Sequence, residues 1–515
     1  MSILFDDHPH EECGIIGVFA PREDVARMAF FGLFALQHRG QEAAGIAVAD
    51  GQTMSLYKNT GLVTQVFRPH TLDELKGHYA IGHTRYSTTG SPAIRNAQPF
   101  MIETMNGPLA LAHNGNLVNS AELRQRLLTE GVGLSSSSDT EVMTMMLARS
   151  PGRDWNERIR ACMKDWRGAY SLVIMTRDCV YAVRDPWGFR PLSVGLLLNG
   201  GYAAASETGA LRTLGCEAVR DVNPGEIVVL SEHALVVNQA VKPVKPGAKC
   251  VFEFVYFARP DHVWDGLPVH QVRQRMGEEL ARESGFGSGY GNGLGSGEAE
   301  MATDWEAEKR RWQRIGKRRN GVGNGSKRME ADVVIPVPDS SVPAAIGFAR
   351  VSGIPYNDGF VKNRYVGRTF IEPTDSLRKR GVALKFNVIN ENVLNKRVVM
   401  IDDSIVRGNT IGPMIRLLRN AGAREVHVAI TCPPIEHPCF MGVDMGTYND
   451  LIAHKRSVDE IRAHIGADSL TFLSLEGMMR AVGRPDGYCQ ACFTGNYPID
   501  VDVLSAKTGF EQNTK

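Results

Sequence analysis

"VVMIDDSIVRGNT", residues 398 to 410, is an apolar run that ends in an acidic pair, Asp402 and Asp403. A short loop follows, carrying Ser404, Arg407, Gly408 and Thr410. The run does not alternate, as expected of a strand buried on both faces of a parallel sheet. The helical stretch "IGPMIRLLRNAGA" comes next, so the loop amides stand at a helix N-terminus, where N–H groups and hydroxyls cradle phosphate. The two carboxylates suit ribose hydroxyls or a divalent cation. A strand, an acidic pair and a loop also make a plain structural turn, and the hydroxyls and glycine after the pair narrow the choice to a phosphate site.

Working outward, "ADVVIPVPDSS" and "EVHVAITCPP" are likewise continuous apolar runs separated by helical segments. Residues 243–515 therefore read as a doubly wound α/β sheet, with ligands expected at the carboxyl ends of its strands. Asp339, Ser340 and Ser341 stand at one such end. "KNRYVGRTF", residues 362 to 370, brings Lys362, Arg364 and Arg368 beside a glycine, suited to closing over a polyanion; its other reading is an exposed basic loop. The stretch 285–329 differs from its surroundings. Alternating glycines precede a basic run, so the expectation is a disordered or looped insertion between a helix and the "ADVVIPVPDSS" strand.

Upstream of the Pro and Lys linker "VKPVKPGAK" the texture changes. Residues 13–242 read as many short strands, among them "CGIIGVFA", "AAGIAVAD", "YAIGHTRYS" and "LALAHNG". Helical stretches over Met28 to Leu36, Ala121 to Leu128 and Asp139 to Leu147 interrupt them, the last opened by the N-capping run "SSSSDTEV". Sheets packed together with helices outside follow, an α+β layered domain.

The 515 residues fit two to four domains. A 43% hydrophobic, 22% charged chain of net charge +1 implies neither nucleic acid nor a membrane surface as a general partner. No apolar run reaches the roughly 18 residues of a spanning helix. "MSILFDDHPHEE" has acidic residues and histidines where a signal or transit peptide has basic ones, so a cytoplasmic location is expected, with the nine cysteines reduced. Cys13, in "HPHEECGIIGVFA", is either a small buried residue at the start of a strand or a nucleophile exposed by removal of residues 1–12. The CxxC at Cys489 and Cys492 is open among zinc, an iron–sulfur cluster, a redox dithiol and chance.

A reaction that takes ammonia from glutamine needs an anchor for the α-carboxylate, one for the α-amine, donors for a tetrahedral oxyanion and a nucleophile. Arg85 in "GHTRYSTTG", Asp139 in "SSSDTEV", and Asn114 with the Gly115 amide in "AHNGNL" supply the first three, and Cys13 the last. Jointly these resemble the N-terminal-nucleophile (Ntn) glutamine amidotransferase domain, as 398–410 resembles the signature of the type I phosphoribosyltransferases. With "FEFVYFARPD", "DPWGFRPL" and "KNRYVGRTFIEP", the chain from Glu11 to about Ile499, the insertion excepted, resembles the glutamine phosphoribosylpyrophosphate amidotransferase family.

The resemblance implies an α+β Ntn hydrolase sandwich followed by an α/β type I phosphoribosyltransferase domain. It implies glutamine hydrolysis at Cys13 and passage of ammonia through an internal channel. At a second site, reached through that channel, the ammonia displaces pyrophosphate from phosphoribosyl pyrophosphate, giving 5-phosphoribosylamine at the first step of purine biosynthesis. Residues 1–12 become a propeptide, whose removal frees the Cys13 α-amine as base. Arg39, in "LQHRGQEAAG", helps close the glutamine site, and Arg85, Asn114, Gly115 and Asp139 bind glutamine or its intermediate. Ser340, Asp402 and Asp403 match Mg²⁺ positions, and Tyr256 sits in the motif of the ammonia path. Cys250, Cys439, Cys489 and Cys492 match the ligands of a [4Fe-4S] cluster, while Cys162, Cys179, Cys216 and Cys432 match nothing and read as core residues. Feedback inhibition by purine nucleotides and a homo-oligomer, dimer or tetramer, are implied as well. His262 and Asn409 depart from the usual residues of their motifs, with altered affinity the most expected of Asn409. A glucosamine-6-phosphate or asparagine synthetase would not need "MIDDSIVRGNT", and a non-catalytic nucleotide sensor would not need Cys13 and Arg85.

Overall fold

The computed structural model describes residues 13–86, 93–233, 235–287, 329–363, 386–443, 445 and 447–501. Thirteen strands fill the first half: β1 (Gly14–Phe19), β2 (Ala43–Ala49), β3 (Met54–Thr60), β4 (Tyr79–Arg85), β5 (Phe100–Thr104), β6 (Gly107–Leu117), β7 (Gly168–Thr176), β8 (Val180–Arg184), β9 (Ser193–Leu197), β10 (Tyr202–Ala205), β11 (Cys216–Asp221), β12 (Glu226–Leu230) and β13 (Leu235–Gln239). They form two antiparallel sheets, in the orders β11-β9-β10-β1-β4-β2-β3 and β13-β12-β8-β7-β6-β5.

Strand alternation explains the layering. Ile15 and Phe19 of β1 face the second sheet and pack with Ala110, Val173 and Val228, whereas Ile16 and Val18 face the helix Val25–Ala35. On the far side, Leu109, Leu111, Leu172 and Ile174 pack beneath the helices Ser120–Thr129, Asp139–Arg149 and Trp155–Asp165. The result is helix, sheet, sheet, helix. The expected start at "SSSSDTEV" is built as capping chemistry predicts: Ser138 accepts from the Thr140 N–H, and the Glu141 carboxylate accepts from the amides and hydroxyls of Ser135 and Ser136. The helix Trp155–Asp165, absent from the sequence reading, buries Ile159, Cys162 and Met163 and packs Trp155 beside them, a stripe at i, i+4, i+7 and i+8 on an otherwise polar stretch.

The second half holds a four-stranded sheet, Val333–Pro336, Arg397–Asp402, Glu425–Ile430 and Ser469–Phe472, parallel throughout and in chain order. The continuous apolar runs are its first three members, and their apolar residues are buried in one core. The helices Val269–Ser284 and Val342–Ser352 lie back to back. A Cβ at Gly277 would fall 1.8 Å from the Ala344 carbonyl oxygen, and one at Gly347 would fall 2.0 Å from that of Gln274, so two glycines let the backbones touch. The first of these helices stops at Gly285, in the left-handed region at φ 71°. Phe286 then bridges to Met329, which joins the two ends of the 285–329 stretch; residues 288–328 lie outside the described residues. No helix among the described residues is long and apolar enough to cross a membrane.

Candidate functional sites

Cys13 sits at the mouth of β1, buried, with its Sγ 3.5 Å from the Tyr86 carbonyl oxygen. Gly14 pairs with Thr84 and Ile15 with His83, which puts Arg85, at the end of β4, beside the thiol. Burial pushes the Cys13 thiol up to about 11, and the Arg85 guanidinium offsets this only in part. With such a value the thiolate fraction at pH 7 is about 10⁻⁴, so the sulfur needs a base at hand to act as a nucleophile.

The second sheet brings its own groups to the same end of the sandwich. The His83 ring Nε2 lies 3.2 Å from the His113 carbonyl oxygen, tying β4 to β6 one residue before Asn114. Burial drives His83 down to about 3, so it is neutral. Asn114 is buried, and its Nδ2 has no hydrogen-bond partner among the described residues. A buried donor left open costs about 1–3 kcal/mol, which is tolerated where a ligand completes it. Gly115, at φ 145°, could carry no side chain, because a Cβ would fall 2.0 Å from the Ala169 carbonyl oxygen. Asp139 opens its helix with Oδ2 accepting from the Leu117 N–H at 3.1 Å and lying 3.6 Å from His113 Nδ1. Burial opposes its charge, but His113 and these hydrogen bonds prevail and hold the carboxyl below its ordinary range. A neutral thiol, a cation, an anion and an open amide donor thus converge, as amide chemistry on an amino acid requires. His113 escaped the sequence reading although "AHNGNL" contains it.

Arg39 takes a position other than the one expected of a residue closing over glutamine. It is 1% exposed. Its Nε donates to the Cys13 carbonyl at 3.3 Å, Nη1 to Glu207 at 2.6 Å, and Nη2 to Glu253 at 2.7 Å. Arg39 thus meets Cys13 through its main chain and not through its thiol. Glu207 belongs to the sandwich, whereas Glu253 lies on a π-helical turn, Glu253–Phe257, that also carries Tyr256. Arg273 braces this turn by donating to the carbonyls of Phe254, Tyr256 and Ala258. Glu207 and Glu253 were not singled out in the sequence, although "FEFVYFARPD" holds the latter. His262 is buried against the same group, with Nδ1 accepting from the Thr208 N–H at 3.1 Å, and burial keeps its pKa below the usual value. Removing one member of a buried pair strands the other's charge, so Glu253→Ala is expected to lower stability by about 3–5 kcal/mol, read as a lower urea midpoint.

At the carboxyl end of the parallel sheet, Asp402 and Asp403 are buried among hydroxyls. Ser340 Oγ donates to Asp403 Oδ2 at 2.5 Å, Ser404 Oγ to Asp403 Oδ1 at 2.7 Å, and Ser341 Oγ to Asp402 Oδ1 at 3.2 Å. Arg407 and Gly408 follow in the loop, and Thr410 is the N-cap of the helix Ile411–Asn420. Gly408 has φ 78°, and a Cβ there would meet Ile452 Cδ1 at 2.7 Å, so the turn requires glycine. Asn409 is exposed. Lys362 Nζ pairs with Asp339 Oδ2 at 2.9 Å across the cleft mouth, uniting two of the expected phosphate-binding segments. Arg364 and Arg368 lie outside the described residues.

Cys250, Cys439, Cys489 and Cys492 line one cleft, together with Phe189, Phe252, Met445 and Tyr497. Two short parallel strands, Lys249–Cys250 and Tyr488–Cys489, set Cys250 opposite Cys489. Burial raises Cys250 to about 11 and pushes Cys489 and Cys492 higher, each reinforced by its neighbouring thiols. Among the described residues, no three or more of His, Cys, Asp and Glu stand so as to hold a metal ion, these cysteines included. Of the remaining cysteines, Cys162, Cys216 and Cys432 are buried and Cys179 half-buried.

Residues 83–213 match a glutamine amidotransferase domain model and residues 303–461 a phosphoribosyl transferase domain model. Amidophosphoribosyltransferases are similar along almost their whole length. That of Synechococcus elongatus is 45% identical (96% of this chain, 93% of that protein), that of Bacillus subtilis 42% (96% and 95%), and that of Homo sapiens 40% (96% and 98%). A solved glutamine phosphoribosylpyrophosphate amidotransferase from Bacillus subtilis, complexed with ADP and GMP, superposes with a TM-score of 0.82 at 41% identity, covering 95% of this chain and 98% of that one. A glutamine amidotransferase domain of the Ntn class followed by a phosphoribosyltransferase domain, with relatives of one name over the full length, means that the chain belongs to the amidophosphoribosyltransferase family and carries out glutamine-dependent amidotransfer to phosphoribosyl pyrophosphate, the first step of purine biosynthesis.

Proposed function

We propose that residues 1–12 are a propeptide, and that the active chain runs from Cys13 as an Ntn amidotransferase domain to residue 242 and as a phosphoribosyltransferase domain from residue 243. Removal of the propeptide supplies the α-amine that a thiol held near 11 needs as its base. The observation that carries this reading is the open, buried Nδ2 of Asn114. It is a donor without an acceptor among the described residues, at the end of the sandwich where the thiol stands. The thiolate attacks the carboxamide carbon, and Asn114 Nδ2 with the Gly115 amide holds the oxyanion. Arg85 and Asp139 hold the α-carboxylate and α-amine. Ammonia leaves, and water cleaves the thioester to glutamate. At the second site the ammonia nitrogen bonds to C1 of phosphoribosyl pyrophosphate as the C1–O bond breaks and pyrophosphate departs. The π-helical turn Glu253–Phe257 joins Tyr256 to Glu253, whose carboxylate meets the Arg39 that donates to the Cys13 carbonyl, and this supports a passage for ammonia along that turn.

Ser340, Asp402 and Asp403 offer hard oxygen donors of the kind Mg²⁺ takes, and Mg²⁺ bound there would neutralise pyrophosphate charge. Asp339, Ser341, Lys362, Ser404, Arg407, Gly408 and Thr410 bind phosphoribosyl pyrophosphate, joined by Arg364 and Arg368. The four thiols that ring one apolar cleft suit a [4Fe-4S] cluster, whose ligands are soft thiolates. The reading includes a cytoplasmic homo-oligomer inhibited by purine nucleotides, in line with the ADP and GMP in the Bacillus subtilis relative. Intact mass together with iron and sulfide analysis tests its two chemical claims. The purified chain is expected to lack residues 1–12 and to hold about four iron and four sulfide. A full-length mass in an active preparation would reject the propeptide, and zinc or empty thiols in active protein would reject the cluster.

A further inference from the structure

The oxyanion strand is pressed from outside its own domain. Gly442 follows Cys439 by three residues, and its missing Cβ would fall 2.9 Å from the carbonyl carbon of Gly115, 3.0 Å from its Cα and 3.2 Å from its oxygen. On the opposite side of Gly115, a Cβ would strike the Ala169 oxygen. The glycine peptide is therefore clamped between β7 and a loop of the distant chain. That loop is anchored at every step. Asn116 Nδ2 donates to the Phe440 carbonyl at 2.9 Å, Arg190 donates to the Met441 carbonyl from Nη2 at 2.5 Å and from Nε at 3.1 Å, and the Met441 N–H lies 3.3 Å from Cys439 Sγ. A β-strand end in open water would fray by more than oxyanion geometry tolerates, since about 1 Å of misplacement can cost 10²-fold in rate.

We propose that the loop Cys439–Gly442 is a positioning element of the glutaminase site: Gly442, Asn116 and Arg190 hold the Gly115 peptide where its amide can meet the oxyanion. The inference rests on the reading of Asn114 and Gly115 as the oxyanion donors. It makes the glutaminase half of the enzyme incomplete without the C-terminal cysteine loop, and the clamp consists of the protein's own atoms.

The test uses the full-length enzyme with Gly442→Ala, Asn116→Ala and Asn114→Ala. Glutamine hydrolysis, ammonia-dependent phosphoribosylamine formation and iron content are measured for each. Gly442→Ala should lower the glutaminase kcat about 10²-fold, and Asn116→Ala about tenfold, with the glutamine KM, the ammonia-dependent rate and the iron content unchanged. The proposal is overturned if both variants keep the parental kcat, or if the loss appears equally in the ammonia-dependent rate, in KM or in iron. If Gly442→Ala does not fold, Asn116→Ala decides by the same readouts. An Asn114→Ala enzyme with undiminished kcat would remove the oxyanion reading itself, whereas a damaged Asn114→Ala beside intact clamp variants would remove only the clamp.

Discussion

Cys13→Ala is expected to abolish glutamine-dependent synthesis, by about 10⁶-fold if the nucleophile acts as a unit with its surroundings, and to leave ammonia-dependent synthesis at the parental rate. The two half-reactions use groups in separate domains, so only one of them loses its nucleophile. The substitution is gentle on the fold, because Cys13 contributes a single buried sulfur whose contact with the Tyr86 carbonyl is long, at 3.5 Å. Side-by-side assays of glutamate release and of phosphoribosylamine formation, with glutamine and with ammonium, resolve the two. Glutamate release at the parental rate from the variant would end the thiol mechanism. The same thiol, held near 11, should also be alkylated slowly at pH 7 while the peptide before it is intact, and faster as pH rises toward that value, because the thiolate is the reacting form.

Asp403→Asn produces the complementary pattern. Synthesis from either nitrogen source falls about 10²–10³-fold, while the glutamine site retains its nucleophile and oxyanion donors. The reason is charge rather than shape. Asparagine keeps an acceptor for Ser340 or Ser404, which reach the carboxylate at 2.5 and 2.7 Å, but it removes the anion that a divalent cation or ribose hydroxyls would meet. A variant with unchanged synthesis at saturating phosphoribosyl pyrophosphate and Mg²⁺ would show that the acidic pair is only a turn. Chelation of Mg²⁺ in the parental enzyme should reproduce the loss.

Much of this architecture is legible locally. Continuous apolar runs gave the parallel sheet, because a strand covered on both faces has no polar positions to alternate with. The serines before Asp139 announced a helix start, because the Ser138 hydroxyl accepts from the Thr140 amide that the first turn leaves open. The helix Trp155–Asp165 escaped although Trp155, Ile159, Cys162 and Met163 repeat at the helical period, a signal that was legible in the sequence. Asp402, Asp403, Ser404 and Gly408 lie within a few residues of one another, so spacing alone displayed them.

What the sequence by itself determined is therefore what short-range physics writes: strand burial, helix caps, and the loop from Asp402 to Thr410 that ends in a helix. What only the tertiary structure decided is which distant groups meet. Arg39 reads as a loop cation in the sequence, yet folding buries it between Glu207 and Glu253 with its Nε on the Cys13 carbonyl. Cys250, Cys439, Cys489 and Cys492 come to one cleft through a parallel strand pair and a separate loop, and that same loop lays Gly442 on Gly115. A buried guanidinium must find carboxylates, and a backbone can approach another backbone this closely only where no Cβ stands in the contact, as at Gly442 and Gly277. Such demands are met by whichever residues the packed core brings within reach, and no local spacing encodes that choice.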